Sequence, residues 1–155
     1  MTIFDLFKDQ ISSDILQKKP KIFTSLNRYE RKKNINLAVE AFALSKVKQN
    51  AILVIAGGWD PRVTENVEHE AELRALAQKL GVQDRVAFLK SISNDHRLLL
   101  LEQSEALLYT PENEHFGIVP VEAMHARCIV FARKSGGPLE SIEAGKTGFL
   151  LSEKP

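Results

Sequence analysis

Ala51-Ile52-Leu53-Val54-Ile55-Ala56-Gly57-Gly58 decides the fold. Six apolar residues in a row, with no polar alternation, read as a strand buried on both faces. The glycine pair at its end marks a loop where something approaches the backbone closely. Such strands belong to a parallel sheet covered by helices on both sides. The following segment agrees: Glu65 to Leu80 reads as a helix stopped by Gly81, and Arg85 to Leu89 as another strand.

Working outward, Lys21 to Leu26 reads as the preceding strand, followed by a basic loop from Asn27 to Lys33. Asn34 offers an N-cap, and from Ile35 the residues Leu37, Ala38, Ala41, Phe42 and Leu44 recur at helical spacing. Toward the C-terminus, Asn94 or Asp95 caps a helix through Gln103, Ala106 to Tyr109 is a strand, and Pro120 to Arg127 a helix. Ile129 to Ala132 and Phe149 to Leu151 are the last strands, with a short helix from Pro138 to Ala144 between them. The expectation is an α/β fold: a single Rossmann-like domain over residues 21–155, with helices on both faces of a parallel sheet. Residues 1–20 are expected to form a leader or interdomain segment whose apolar residues dock as a short helix.

The whole-chain properties fit one unit. With 155 residues, 44% hydrophobic and 26% charged, the chain can bury a core but is short for two α/β domains. A net charge of +1 gives no dense basic surface for nucleic acid or an anionic membrane. Cys128 is the single cysteine, so an intrachain disulfide or cysteine-rich metal site is excluded, and its apolar run through Phe131 makes it a buried structural residue. A reducing compartment fits best. Met1 to Gln10 lacks the basic start and cleavage site of a secretory signal, and no apolar run nears the roughly 18 residues of a membrane span.

In such sheets ligands bind where loops leave the carboxyl ends of the strands. Those loops are Asn27–Lys33, Gly57–Asp60, Lys90–Asn94, Thr110–Ile118 and Lys134–Gly137, all expected along one edge. Neither G-x-G-x-x-G after the first strand nor a P-loop is present. The edge offers instead Arg28, Arg31, Lys32 and Lys33, with the glycine pairs Gly57-Gly58 and Gly136-Gly137. Cations beside glycines, followed by helix N-termini, make a receptor for a diphosphate. Arg31 and Lys32 read as solvated.

The segment Thr110 to Met124 carries most information. Glu114 falls in the loop and Glu122 in the first helical turn. Between them Phe116, Gly117 and Ile118 present N–H groups at the positive end of the helix dipole. Carboxylates repel phosphate but accept strongly from hydroxyls, which sugars and ribose supply. Spacing alone favours slightly the plainer readings, Glu122 as an N3 capping residue and Glu114 as a solvated loop acid. His115 has no fixed carboxylate partner, and His69, His96 and His125 share no metal-site spacing, so no metal is expected.

Glu114-x7-Glu122, inside Glu-His-Phe-Gly-Ile-Val-Pro-Val-Glu-Ala-Met, resembles the E-x7-E element of the retaining glycosyltransferases with a GT-B fold. Ser25–Asn34, Val54–Trp59 and Ser135–Ser141 fall in the order and spacing of that family's C-terminal donor-binding domain, so Lys21 to Leu151 is covered. The segments Arg28–Asn34 and Asn113–Leu150 are most similar to the members that transfer mannose to dolichol-linked oligosaccharide in N-glycan assembly.

The resemblance implies GDP-mannose as donor, a lipid-linked oligosaccharide as acceptor, and work at the cytoplasmic side of the endoplasmic reticulum membrane, the fragment itself being soluble. It implies that Arg28 and Lys33 stabilise the departing diphosphate, and that Glu114 with the backbone of Phe116, Gly117 and Ile118 holds the transferred sugar. Glu122 would accept from the ribose hydroxyls, with Gly57, Gly58, Gly136 and Gly137 lining the donor. The acceptor attacks on the face from which the diphosphate leaves, so the two glutamates are no hydrolase-type acid and nucleophile. The family works without bound metal and encloses its cleft with an N-terminal acceptor domain, expected here to be missing along with the C-terminal helices. The isolated chain is therefore expected to bind donor weakly and to transfer nothing. A non-catalytic nucleotide-sugar-binding module or subunit, and a structural domain that has lost binding, stay open as alternatives.

Overall fold

A computed structural model describes residues 2–112, 118–133 and 148–151. Six strands, β1 (Lys21–Leu26), β2 (Ala51–Gly57), β3 (Val86–Lys90), β4 (Ala106–Tyr109), β5 (Ile129–Arg133) and β6 (Phe149–Leu151), form one sheet in the order β3-β2-β1-β4-β5-β6. Every neighbouring pair is parallel, with β1 and β2 in register from Lys21↔Ala51 to Leu26↔Ala56. This is the doubly wound order, whose direction of winding reverses between β1 and β4.

The apolar run in β2 has its physical reason in two cores. Ile52, Val54 and Ala56 face one core with Ile22, Leu26, Ala87 and Leu107, while Ala51, Leu53 and Ile55 face the other with Val86 and Phe88. Alternate side chains thus point to opposite, equally dry faces. Helices α2 (Asn36–Leu44) and α3 (Thr64–Lys79) cover the second core through Val39, Phe42, Leu73 and Ala77. The first is covered by α4 (Asn94–Gln103) and α5 (Ile118–His125) through Leu100, Leu101 and Ala123.

The N-terminal residues join the same core. A 3-10 turn at Ile3–Leu6 and α1 (Ser13–Gln17) bring Ile3, Phe7 and Ile11 into it, and Phe7 is completely buried. Gln10 adds a specific tie: its Nε2 donates to Phe88 O at 2.7 Å, and its Oε1 accepts from Phe88 N at 2.8 Å. Its amide imitates one rung of a further strand and blunts the exposed edge of β3.

Three caps differ from the sequence expectation. Asn34 is no N-cap: it closes the 3-10 turn Arg31–Lys33 in the left-handed region at φ 53°, and Ile35 occupies the cap of α2. An asparagine tolerates that conformation, which a tight loop exit demands. Neither Asn94 nor Asp95 caps α4; Ser93 does, its Oγ accepting from His96 N at 3.2 Å. Helix α5 starts at Ile118 and not Pro120, which moves Glu122 out of the first turn and removes the N3 capping role from it. Gly81, at φ 74°, ends α3 in the way its sequence suggests. The expected helix from Pro138 to Ala144 lies outside the described residues.

Cys128 is 3% exposed, and burial pushes its thiol up to about 11. A thiol so placed stays protonated at neutral pH and packs as a small apolar group.

Candidate functional site

The loops that leave β1, β2 and β3 are bound to one another by short polar contacts. Asn27 N donates to Ala56 O at 2.9 Å, and a side chain at Gly57 would run directly into the Asn27 carbonyl. Gly57 is therefore a glycine because two loop backbones cross there. Tyr29 is buried beneath the crossing, its hydroxyl between Ile55 O and Leu89 O at 3.0 Å each. Burial, with nearby Glu70, holds that phenol well above its ordinary range, so it stays a donor.

Two more residues complete the frame. Asn66, 8% exposed at the start of α3, accepts from Asp60 N at 3.0 Å and donates to Tyr29 O at 3.1 Å. Ser91 N donates to Gly57 O at 2.9 Å, and its hydroxyl accepts from Trp59 N and donates to Trp59 O. The Trp59 ring lies under the Lys90 ammonium at 4.2 Å. Trp59, Asp60, Asn66 and Ser91 line a cleft of about 600 Å3 together with Arg28 and Gly58, the Arg28 Cγ 3.4 Å from where a Gly58 Cβ would be.

The cations of the β1 loop divide. Arg28 is exposed and has no ion-pair partner among the described residues. Arg31, expected to be solvated, is instead clamped onto α3: its guanidinium bonds Glu72 and, at 2.9 Å, Glu68, and its amide donates to Glu65 at 3.0 Å. Donating to Glu72 and then to Glu68 raises its already high pKa, and the hydrogen bonds that Glu72 accepts from Arg31 and then His69 lower that of Glu72. Arg31 is thereby turned away from the cleft. Lys32 lies 3.7 Å from Glu30, largely exposed.

Lys33 is tied to the other half of the sheet edge. Thr110, just past β4, donates from Oγ1 to Lys33 O at 2.7 Å. The cationic loop is therefore anchored where the Glu114–Glu122 segment begins, across the β1/β4 reversal. Glu112, two residues further on, pairs with Arg133 at the end of β5. Glu114, Phe116, Gly117, Gly136 and Gly137 lie outside the described residues. Ile118 is 65% exposed at the first position of α5.

Glu122 is held by a residue that no sequence pattern singles out. Arg97, on α4, donates from Nε to Oε2 at 2.8 Å and from Nη2 to Oε1 at 3.1 Å, both side chains being half-buried. The signal was slight: one cation ahead of the apolar run Leu98 to Leu101. Asn66 and Tyr29 were equally unmarked, one within an acidic stretch and the other inside a basic loop.

The sheet is doubly wound, with a cationic loop after β1 and the carboxylate of Glu122 on α5, and the chain belongs to the glycosyl transferases group 1 family, whose model matches residues 7–154. It is 45% identical over 162 residues to the alpha-1,3/1,6-mannosyltransferase ALG2 of Homo sapiens, covering 100% of this chain and 39% of that protein. With ALG2 of Saccharomyces cerevisiae it shares 41% identity over 167 residues, 87% of this chain and 33% of the relative. The chain thus spans between 33% and 39% of the length of these relatives. Among solved structures, Anabaena Alr3699/HepE in complex with UDP-glucose superposes with TM-score 0.77 at 25% identity, over 99% of this chain and 42% of that one. Sucrose-phosphate synthase from Thermosynechococcus elongatus, at 24% identity and TM-score 0.78, covers 100% of this chain and 38% of its own, and shares the fold.

Proposed function

We propose that this chain is the donor-binding part of a retaining mannosyltransferase that uses GDP-mannose and a dolichol-linked oligosaccharide acceptor. The observation that carries the proposal is the Thr110–Lys33 bond, which joins the cationic loop after β1 to the origin of the E-x7-E segment. Similarity to ALG2 across the whole chain supports the choice of sugar and acceptor.

In this mechanism Arg28 and Lys33 face the donor diphosphate and offset the charge it gains as it leaves. The bond from the sugar anomeric carbon to the diphosphate oxygen breaks, and a bond from the acceptor hydroxyl oxygen forms on the same face. The hydroxyl proton passes to the departing phosphate oxygen. Glu114 and the Phe116–Ile118 backbone hold the sugar, Gly57, Gly58, Gly136 and Gly137 leave room for the donor, and Glu122 accepts from the ribose. The acceptor is positioned by a second domain, and the complete enzyme works at the cytoplasmic face of the endoplasmic reticulum membrane; among the described residues no helix is long and apolar enough to cross one.

Calorimetric titration with GDP and with guanosine tests the donor site. GDP is expected to bind at least about tenfold more tightly, and Arg28→Ala to remove most of that margin while leaving guanosine unchanged, since a charge-assisted contact is worth about 1.5–3 kcal/mol. Equal affinity for the two ligands would refute the diphosphate role. Mannosyl transfer by the 155-residue chain alone would refute the need for a second domain.

A further inference from the structure

We propose that Arg97 is the positioning residue of the donor site, fixing the Glu122 carboxylate so that it accepts from a ribose hydroxyl. This rests on the ribose role of Glu122 above and adds a residue from a different helix to it.

The argument is geometric. A carboxylate offers about four acceptor directions, two per oxygen. The Arg97 fork takes one on each oxygen, through Nε to Oε2 and Nη2 to Oε1. What remains is one open direction per oxygen, in the carboxylate plane and pointing to opposite flanks. Vicinal hydroxyls lie too close together to reach both, so a ribose hydroxyl meets a single acceptor whose direction the guanidinium fixes. An ionised phosphate oxygen has no hydrogen to donate to it.

Placement supports this role over that of a surface ion pair. Arg97 is the fourth residue of α4, which Ser93 caps at the carboxyl end of β3, and Glu122 is the fifth of α5, which follows β4. Both therefore lie in the helical turns nearest the sheet edge that bears the ligand loops. The side chains are 32% and 34% exposed, covered enough to hold one rotamer and open enough to meet a ligand. A bidentate fork also specifies orientation, which a lysine at the same position cannot do.

The test measures the chain's preference for GDP over 2′,3′-dideoxy-GDP, which lacks both hydroxyls, by calorimetry, with melting midpoints recorded alongside. The unchanged chain is expected to prefer GDP by about tenfold or more, and Glu122→Gln to lose most of that preference. Arg97→Met is expected to reduce it to about twofold or less. Arg97→Lys, which keeps charge and stem, is expected to hold the melting midpoint yet lose most of the preference. If both Arg97 variants melt lower but keep the full preference, while Glu122→Gln loses it, Arg97 is only a strut between helices and the inference falls while the donor reading stands. If the unchanged chain shows no preference for GDP over the dideoxy analogue, or if Glu122→Gln keeps that preference in full, the role of Glu122 falls and that of Arg97 with it, and the GDP against guanosine comparison still judges the diphosphate site separately.

Discussion

The loops after β1, β2 and β3 and the helices α4 and α5 present two halves of one sheet edge, and they are held by different forces. The first half is fixed by the backbone crossing at Gly57, by neutral, buried hydrogen bonds from Tyr29 and Asn66, and by an exposed one from Ser91. The second is fixed by half-buried ion pairs, Arg97–Glu122 and Arg133–Glu112. Neutral buried bonds ignore salt and pH over a wide range, whereas partly exposed pairs are screened. The division suits the proposed work. The cationic loop must hold a repelling set of charges in place before any anion arrives, and the carboxylate must keep its direction while remaining accessible to hydroxyls.

Gly57→Ala should break this comparison most severely. The new methyl meets the Asn27 carbonyl directly, so the β1 and β2 loops must separate and take Arg28 and Tyr29 with them. Overpacking against backbone costs about 3 kcal/mol or more, which for a domain of this size lowers the melting midpoint by about 10 °C. GDP binding should be lost with it. A variant that melts normally would mean that the loops do not cross as described.

Tyr29→Phe tests the neutral half more gently. The ring remains buried, but Ile55 O and Leu89 O lose their shared donor. The expected loss is about 1–2 kcal/mol, or about 4 °C, and it should be the same at low and at high salt. A salt-dependent loss would indicate that charge, not the hydroxyl, organises the loop.

The contrast between the halves also sets what the sequence could disclose. β2 was legible because two dry faces impose one uninterrupted apolar run, and Gly57-Gly58 because close backbone approach leaves a glycine behind. Arg28, Lys33 and Glu122 were legible as types at spacings that the family resemblance shares. Their supports were not. Asn66 bonds across 37 positions to Tyr29, Arg97 across 25 to Glu122, and Gln10 across 78 to Phe88. Nothing in the local pattern distinguishes these from ordinary surface polar residues, since their partners are set by how the helices pack. The Asn34 and Ser93 caps show the same limit at short range: several residues in a row were competent, and loop geometry chose among them.

Arg31 gives the smallest and most discriminating comparison, because it clamps the well-fixed β1 loop by the means that the other half uses. Its partners Glu68 and Glu72 are about half exposed, so the clamp contributes little to stability and is open to solvent. Arg31 lowers the Glu72 pKa from 4.5, so the folded state favours the ionised carboxylate. That contribution is present above pH 4.5 and disappears as pH falls through the lowered folded value. Arg31→Ala is therefore expected to melt slightly below the unchanged chain at neutral pH and low salt, and to match it once the pH has fallen below the lowered Glu72 value or in about 1 M salt. GDP affinity should change little, since Tyr29, Asn66 and Gly57 hold the loop without it. A gap in melting that persists in acid and in salt would show that Arg31 works through its packed stem, and a large loss of GDP affinity would make the clamp, not the buried bonds, the element that fixes Arg28.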